Sequence, residues 1–337
     1  MGKIPRSYLI RRLVIFFLTI WVAATLIWII PRLAPGDPIS AMVGRMAQSA
    51  GYVENADAIV EGWKERFGLN DPPRVQYVRY LGNLLRLDFG PSLAYFPTPV
   101  SKLINQALPW TVGLLLLAVT ITFLLGNFLG AIMVWAKTPK LVKYLIPLGM
   151  IFTSIPSILA ALFLLYVFAF ILNLFPMRGA YALGLEPSFG WDFVVSVIRH
   201  GTLPALSIIL VSFGYWTLGM RGMMITVEGE DYMHLANAKG LKPFYVLYRY
   251  MVRNAILPQI TAFALTLGTL VSGQILVEYI FGYQGMGTLI YDAIVTRDFA
   301  VIQGTSFIII LMTSLAVLII DLIYPFIDPR IQHEGAN

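Results

Sequence analysis

The chain has 337 residues, of which 58% are hydrophobic and 12% are Asp, Glu, Lys or Arg, about half the roughly 25% charged fraction of a soluble protein. A domain of this length would lack the polar residues to cover its own surface, so lipid must be the solvent for much of it. The net charge of +6 sits between long apolar runs and gives no basis for a nucleic-acid partner, the absence of Cys excludes disulfides, thiolate metal sites and cysteine nucleophiles, and three His offer no zinc set.

A membrane helix needs about 20 residues nearly free of charge. In chain order the runs are Leu13–Pro31, Leu103–Ala136, Tyr144–Met177, His200–Met220, Asn254–Val277 and Phe299–Ile320. Six spans are therefore predicted, with Pro109, Pro147 and Pro176 near the ends of the two longest runs. The fold class is an all-α polytopic membrane protein. The bias of Lys and Arg toward cytoplasmic loops sets the orientation. With both termini inside, Lys3, Arg6, Arg11 and Arg12, then Lys137, Lys140 and Lys143, then Lys239, Lys242, Arg249 and Arg253, and finally Arg330 face the cytoplasm. Only Arg178, Arg199 and Arg297 fall in short outer loops. The first span is read as a retained helix, since it is longer than the apolar core of a cleaved signal peptide. In this topology Ser49, Ser92 and Asn173 face outside and Thr138 and Asn237 inside.

The chain divides into residues 1–31 (cytoplasmic N-terminus and first span), 32–102 (an extracytoplasmic helical insertion), 103–327 (five further spans with a cytoplasmic loop over 225–255) and 328–337 (a cytoplasmic tail). The insertion has eight basic and seven acidic residues and no Gly/Ser or Pro tracts. Ile59, Trp63 and Phe67 recur every fourth residue, and Val75, Val78, Leu81 and Leu85 at three and four, as on amphipathic helices. Pro72-Pro73 separates the two helices and Gly90-Pro91 ends the second. The insertion reads either as a lid at an outer mouth or as a cap bracing helix ends.

No catalytic set emerges. Lys137-Thr138 is the nearest thing to a phosphate-binding P-loop, but Ala136 and Ala131 stand where the backbone cradle needs Gly. There is neither a His-Glu-x-x-His pair nor a Gly-x-Ser-x-Gly elbow. No metal or cofactor is expected. Asp321, near the inner end of the sixth span, and Glu278, at the outer end of the fifth, are read as structural charges. Tyr166, Trp191 and Trp216 read equally as interfacial belt or as sugar-stacking residues.

The loop between the fourth and fifth spans is too long for a simple connection. Glu228, Glu230 and Asp231 precede Tyr232 to Lys239, placing acid at the positive end of a helix and base at its negative end. Gly240 is expected in the left-handed conformation as a stop, and Pro243 as the start of a second helix running to about Arg253. The small Ala236 and Ala238 would let another surface approach closely. The loop is expected to touch the lipid-buried helices only at its own ends, and Ser92 to tolerate alanine.

Read as Asp231-Tyr232-x-x-x-Ala236-x-Ala238-Lys239-Gly240-Leu241, followed by Arg253-Asn254-Ala255-Ile256-Leu257-Pro258, the loop resembles the EAA coupling motif of ABC-transporter permeases. The wording is most similar to the peptide/nickel importer group, the B-type dipeptide and oligopeptide permeases. Further phrases of that group occur in order: Arg32 to Pro38, Phe67-Gly68-Leu69-Asn70, Gln76-Tyr77, Asp88-Phe89-Gly90, Leu108-Pro109-Trp110-Thr111, Ser154-Ile155-Pro156, Val277-Glu278 through Gly287, Arg297-Asp298-Phe299 and Asp328-Pro329-Arg330-Ile331. His234 and Asn237 depart from it, standing where basic residues are frequent.

The resemblance implies a type I importer permease in the cytoplasmic membrane. It would form half of a path, pair with a second homologous permease, two cytoplasmic ATP-binding subunits and an extracytoplasmic solute-binding protein, and have no ATPase site of its own. Residues 231 to 241 would couple ATP hydrolysis to the switching of the spans. The solutes of that group are peptides, nickel and oligosaccharides. The competing readings are a secondary carrier or channel not coupled to ATP, which should show midplane charges or an internal repeat, and a membrane-embedded enzyme, which needs a convergent catalytic set.

Overall fold

A computed structural model of the chain describes residues 6–33, 43–44, 56–66, 70–135, 138–139, 142, 144–268 and 274–327. Lys3, Ser49, Phe67, Lys137, Lys140, Lys143, the phrase from Ala34 to Pro38, the tail 328–337 and the side chains of Ile59 and Trp63 lie outside the described residues. The rest is helical, without a strand among the described residues, because a backbone in lipid must satisfy its own hydrogen bonds. The helices are α1 (Arg6–Leu33), α2 (Ala56–Arg66), α3 (Pro73–Leu85), α4 (Val100–Val134), α5 (Leu145–Ser154), α6 (Ser157–Leu164), α7 (Trp191–Glu228), α8 (Asp231–Ala238), α9 (Pro243–Val246), α10 (Arg253–Gly268), α11 (Ile275–Ile280), α12 (Met286–Val295) and α13 (Phe299–Ile327). π-helical turns extend α6 over Leu165–Ile171 and join α9 to α10 over Leu247–Val252.

Among the described residues four helices are long and apolar enough to cross a bilayer, and α5 with α6 forms a fifth candidate bent by 98°. The bend falls at Ile155-Pro156, where Ile155 is extended (ψ 124°) because the following proline ring disfavours the helical conformation. In the remaining charge-free run, Asn254–Val277, the described residues up to Gly268 belong to α10 and those from Ile275 to α11. By contrast Pro109, Pro204 and Pro258 sit inside continuous helices.

The chain forms two compact units, Met1–Trp110 with Gln284–Asn337, and Thr111–Tyr283. In the first, α1 and α13 run antiparallel. Arg12 forms an ion pair with Asp321 at 3.0 Å, the Tyr8 hydroxyl donates to the Asp321 carbonyl at 2.8 Å, and Gln303 reaches the Ile27 carbonyl at the other end. Asp321 is thus the structural charge expected.

Helix α3 lies across the C-terminal half of α1, but not on the expected face. Val75, Val78 and Leu85 are exposed; of the expected set only Leu81 turns inward, and the inward stripe is Tyr77, Tyr80 and Leu81, all half-buried, with Leu84, buried. The two tyrosines have apolar rings with a polar tip, so they can line the contact. Tyr77 packs edge-on against Trp28 at 5.2 Å and shares a 2.7 Å hydrogen bond with Thr25, while Tyr80 donates to the Ala24 carbonyl at 3.1 Å. The helix ends at Leu85, five residues before Gly90, through Leu87 at φ 55°.

In the second unit α4 and α7 cross backbone to backbone. A Cβ on Gly126 or Gly130 would lie 2.5 Å from Trp216 Cβ or the Thr217 carbonyl. Gly214 of α7 meets the Gly149 carbonyl of α5 just as closely. Trp216 is fully buried between Phe123 and Phe263, with ring centroids 5.2 and 6.3 Å away, which makes it neither a belt nor a solute-stacking residue. Tyr166 and Trp191 are exposed. Glu278 is buried and accepts the Thr111 hydroxyl at 2.8 Å, which anchors α11 to α4. Burial, then the Glu278 charge, push the neighbouring Tyr283 phenol up to about 12.

Candidate coupling elbow

Residues 229 to 253 make a helical elbow. Glu230, extended at ψ 144°, precedes α8, and its carbonyl accepts the first turn's Met233 N–H at 2.9 Å. At the other end Lys239 is still helical, and Gly240 turns the chain at φ 65° while donating its N–H to the Asn237 carbonyl at 3.0 Å. A Cβ there would touch nothing within 4 Å, so glycine serves the backbone conformation and not a close contact. Pro243 opens α9 with Lys242 extended before it. The second helix does not stop near Arg253 as the sequence suggested. The π turn Leu247–Val252 carries it directly into α10, so the elbow and that long helix are one body.

Helix α8 has two faces. Met233 and Ala236, three apart, are buried in a cluster with Ala131 of α4, Met220 and Met224 of α7, and Val246, Leu247, Met251 and Ala255 of the returning helix. Leu241, Val134 and Trp135 pack around it, and Trp135 meets Phe244 edge-on at 6.3 Å. The elbow therefore contacts the end of α4, contrary to the expectation that it touches membrane helices only where it joins them. Ala236 is small because α8 sits tightly on its own chain. Methionine supplies the fill, an unbranched side chain that adapts to irregular gaps, and its role was invisible to a search for charged motifs.

The opposite face holds Asp231, Tyr232, Leu235, Ala238, Lys239 and Gly240, all exposed, and it continues across the bend into Phe244, Tyr245 and Tyr248. These three aromatics went unread in the sequence, where they pass for interfacial belt residues. They leave an exposed aromatic face on a well-packed support. Thr138, half of the failed P-loop match, is buried and donates its hydroxyl to the Ile132 carbonyl at 2.5 Å, so it offers nothing to a phosphate.

Long apolar helices, one bent pair and an exposed elbow braced by the ends of two of them define a multi-span helical membrane protein. The chain belongs to the family described as binding-protein-dependent transport system inner membrane component, whose match covers residues 126–333. It is similar along its whole length to the oligopeptide transport system permease protein AppB of Bacillus subtilis, 33% identical over 333 residues covering 97% of this chain and 99% of the relative. A probable peptide ABC transporter permease of Sinorhizobium fredii is 31% identical over 331 residues (97% and 99%). A putative peptide permease of Brucella suis biovar 1 is 33% identical over 328 (96% and 98%).

Proposed function

We propose that the chain is the permease subunit of an ATP-driven importer of peptides and forms half of its translocation path. The family match and the peptide-permease names of full-length relatives support this solute class, and those names give no support to nickel or oligosaccharides. The remaining parts are a second homologous permease, two cytoplasmic ATP-binding subunits that supply the ATPase site, and an extracytoplasmic solute-binding protein. Both termini lie in the cytoplasm, residues 32–102 lie outside, and six spans cross the cytoplasmic membrane, the bent α5–α6 pair as one and residues 254–277 as another.

The carrying observation is the two-faced α8. Asp231, Tyr232, Ala238, Lys239 and Gly240 belong to a surface that the ATP-binding subunit presses, and Ala236 and Leu241 to the seat that passes the displacement on. When ATP draws the two ATP-binding subunits together, the exposed face moves with them. The methionine-lined seat transmits that movement to the ends of α4 and α7, and the π turn transmits it to α10. A close-packed seat moves as a block, because interiors repack between discrete arrangements and do not deform smoothly.

The test is uptake of a labelled tripeptide by proteoliposomes containing all partner subunits. Uptake should require ATP and the binding protein. Uptake that persists without ATP would identify an uncoupled carrier and reject the proposal.

A further inference from the structure

The C-terminal end of α1 walls a cavity of about 170 Å³ lined by Arg32, Gln76, Arg79, Asn83, Asp88 and Gln303. Arg32 stacks over the Trp28 ring at 3.8 Å and donates to the Trp28 carbonyl at 2.8 Å and to Gln76 Oε1 at 3.0 Å. Among the described residues no carboxylate lies within ion-pair distance of it, whereas Arg79 is paired with Asp71 at 2.6 Å. The Asp88 carboxylate accepts the Gly90 N–H at 3.0 Å and has no cationic partner among the described residues. The cavity wall thus carries one guanidinium and one carboxylate without an ion-pair partner among the described residues, together with the carboxamides of Asn83 and Gln303. A ligand that satisfies both charges carries an anion and an ammonium close together.

Its position says where such a ligand comes from. Helix α1 buries only Ala24, and Phe17, Leu18, Trp21, Val22, Leu26, Ile29, Ile30 and Leu33 are exposed over its length. A helix apolar nearly all round is a lipid-solvated one. Arg32 stands one residue before its end, beside Trp28, the basic and aromatic pairing that marks headgroup depth. We propose that this cavity holds the headgroup of phosphatidylethanolamine from the leaflet that this end of α1 reaches, which is the outer one in the topology proposed above. Arg32 donates to the phosphodiester oxygens and Asp88 accepts from the primary ammonium, with Asn83 and Gln303 bridging them. Phosphatidylcholine cannot donate to Asp88, since its quaternary nitrogen has no N–H, and phosphatidylglycerol has no cation.

The experiment is native mass spectrometry of the detergent-purified full-length chain titrated separately with the three lipids. Phosphatidylethanolamine should be retained above both others. Arg32→Gln should lower its retention roughly tenfold, the size of one charge-assisted hydrogen bond. Asp88→Asn keeps an acceptor for the Gly90 N–H, so it should leave melting unchanged, remove the preference over phosphatidylglycerol and keep the phosphate contact. It carries the test should Arg32→Gln fail to fold. Equal retention of phosphatidylethanolamine by wild type and by a folded Arg32→Gln, or no loss of preference in Asp88→Asn, overturns the proposal. So does displacement of the lipid by soluble phosphoethanolamine or dialanine at equal concentration, which would make the occupant a soluble zwitterion.

Discussion

Ser92 and Asp298 stand 206 positions apart in the chain, and the serine hydroxyl donates to the carboxylate at 2.5 Å. Asp298 is fully buried and also accepts the Ala94 N–H at 2.8 Å and, from the first turn of α13, the Val301 N–H at 3.2 Å. One carboxylate therefore caps a long helix and ties the segment after α3 to it. The expectation that Ser92 tolerates alanine is not met, because the residue is buried and hydrogen-bonded to Asp298. Ser92→Ala should cost about 1.5–3 kcal/mol, the worth of a hydrogen bond to a charged group, read as a lower melting temperature of the purified chain. Tyr95, beside this site, has its phenol pushed up by burial and then by the Asp292 and Asp298 charges, so it stays protonated. Gly240 offers the opposite case, a backbone need without crowding. Gly240→Asn, which tolerates positive φ, should keep peptide-stimulated ATP hydrolysis, while Gly240→Val should lower it, through a strain of roughly 1–2 kcal/mol. Equal rates for the two variants would show that the bend is not needed for coupling.

At the scale of single helices, α8 allows neighbouring positions to be set against each other. Ala236→Leu drives a larger side chain into a filled seat and should destabilise the chain by about 1–3 kcal/mol. Leu235→Glu, one residue away and exposed, should leave melting unchanged while reducing stimulated ATP hydrolysis. Should both lose stability and neither lose coupling selectively, the exposed face is not a docking surface. Gly214→Ala should break the α5–α7 crossing, since its Cβ meets a backbone carbonyl that cannot step aside; protease resistance of Thr111–Tyr283 would report it. What could be read from the sequence follows from the same contrast. Charge-free runs, the Gly240 turn and the Asp321 charge were legible because each is fixed locally, by solvent, by φ or by one helix end. The inward stripe of α3 was not, since an aliphatic pattern over Val75, Val78 and Leu85 outweighed Tyr77 and Tyr80, whose partners lie on α1. Nor was the seat of α8, whose methionines and Ala131 come together only through the fold.

For the whole molecule, the division into units has a consequence in time. The first unit is assembled from Met1–Trp110 and Gln284–Asn337, with all of the second unit encoded between them. A ribosome adding about 5–20 residues per second needs roughly ten to thirty seconds to traverse that interval. Throughout it α1 lacks α13, Arg12 lacks Asp321, and Ser92 lacks its acceptor. The earlier half must wait in the membrane, its polar groups held by lipid headgroups, water or insertion machinery. A nascent chain arrested just after Tyr283 should therefore yield a Thr111–Tyr283 fragment that resists protease while its first hundred residues are cut, and release of the arrest should restore their protection. Protection of the early half before Gln284 emerges would show that it folds unaided. Birth order thus makes the last helix the closing piece, and a premature stop within α13 more damaging than the few residues it removes would suggest.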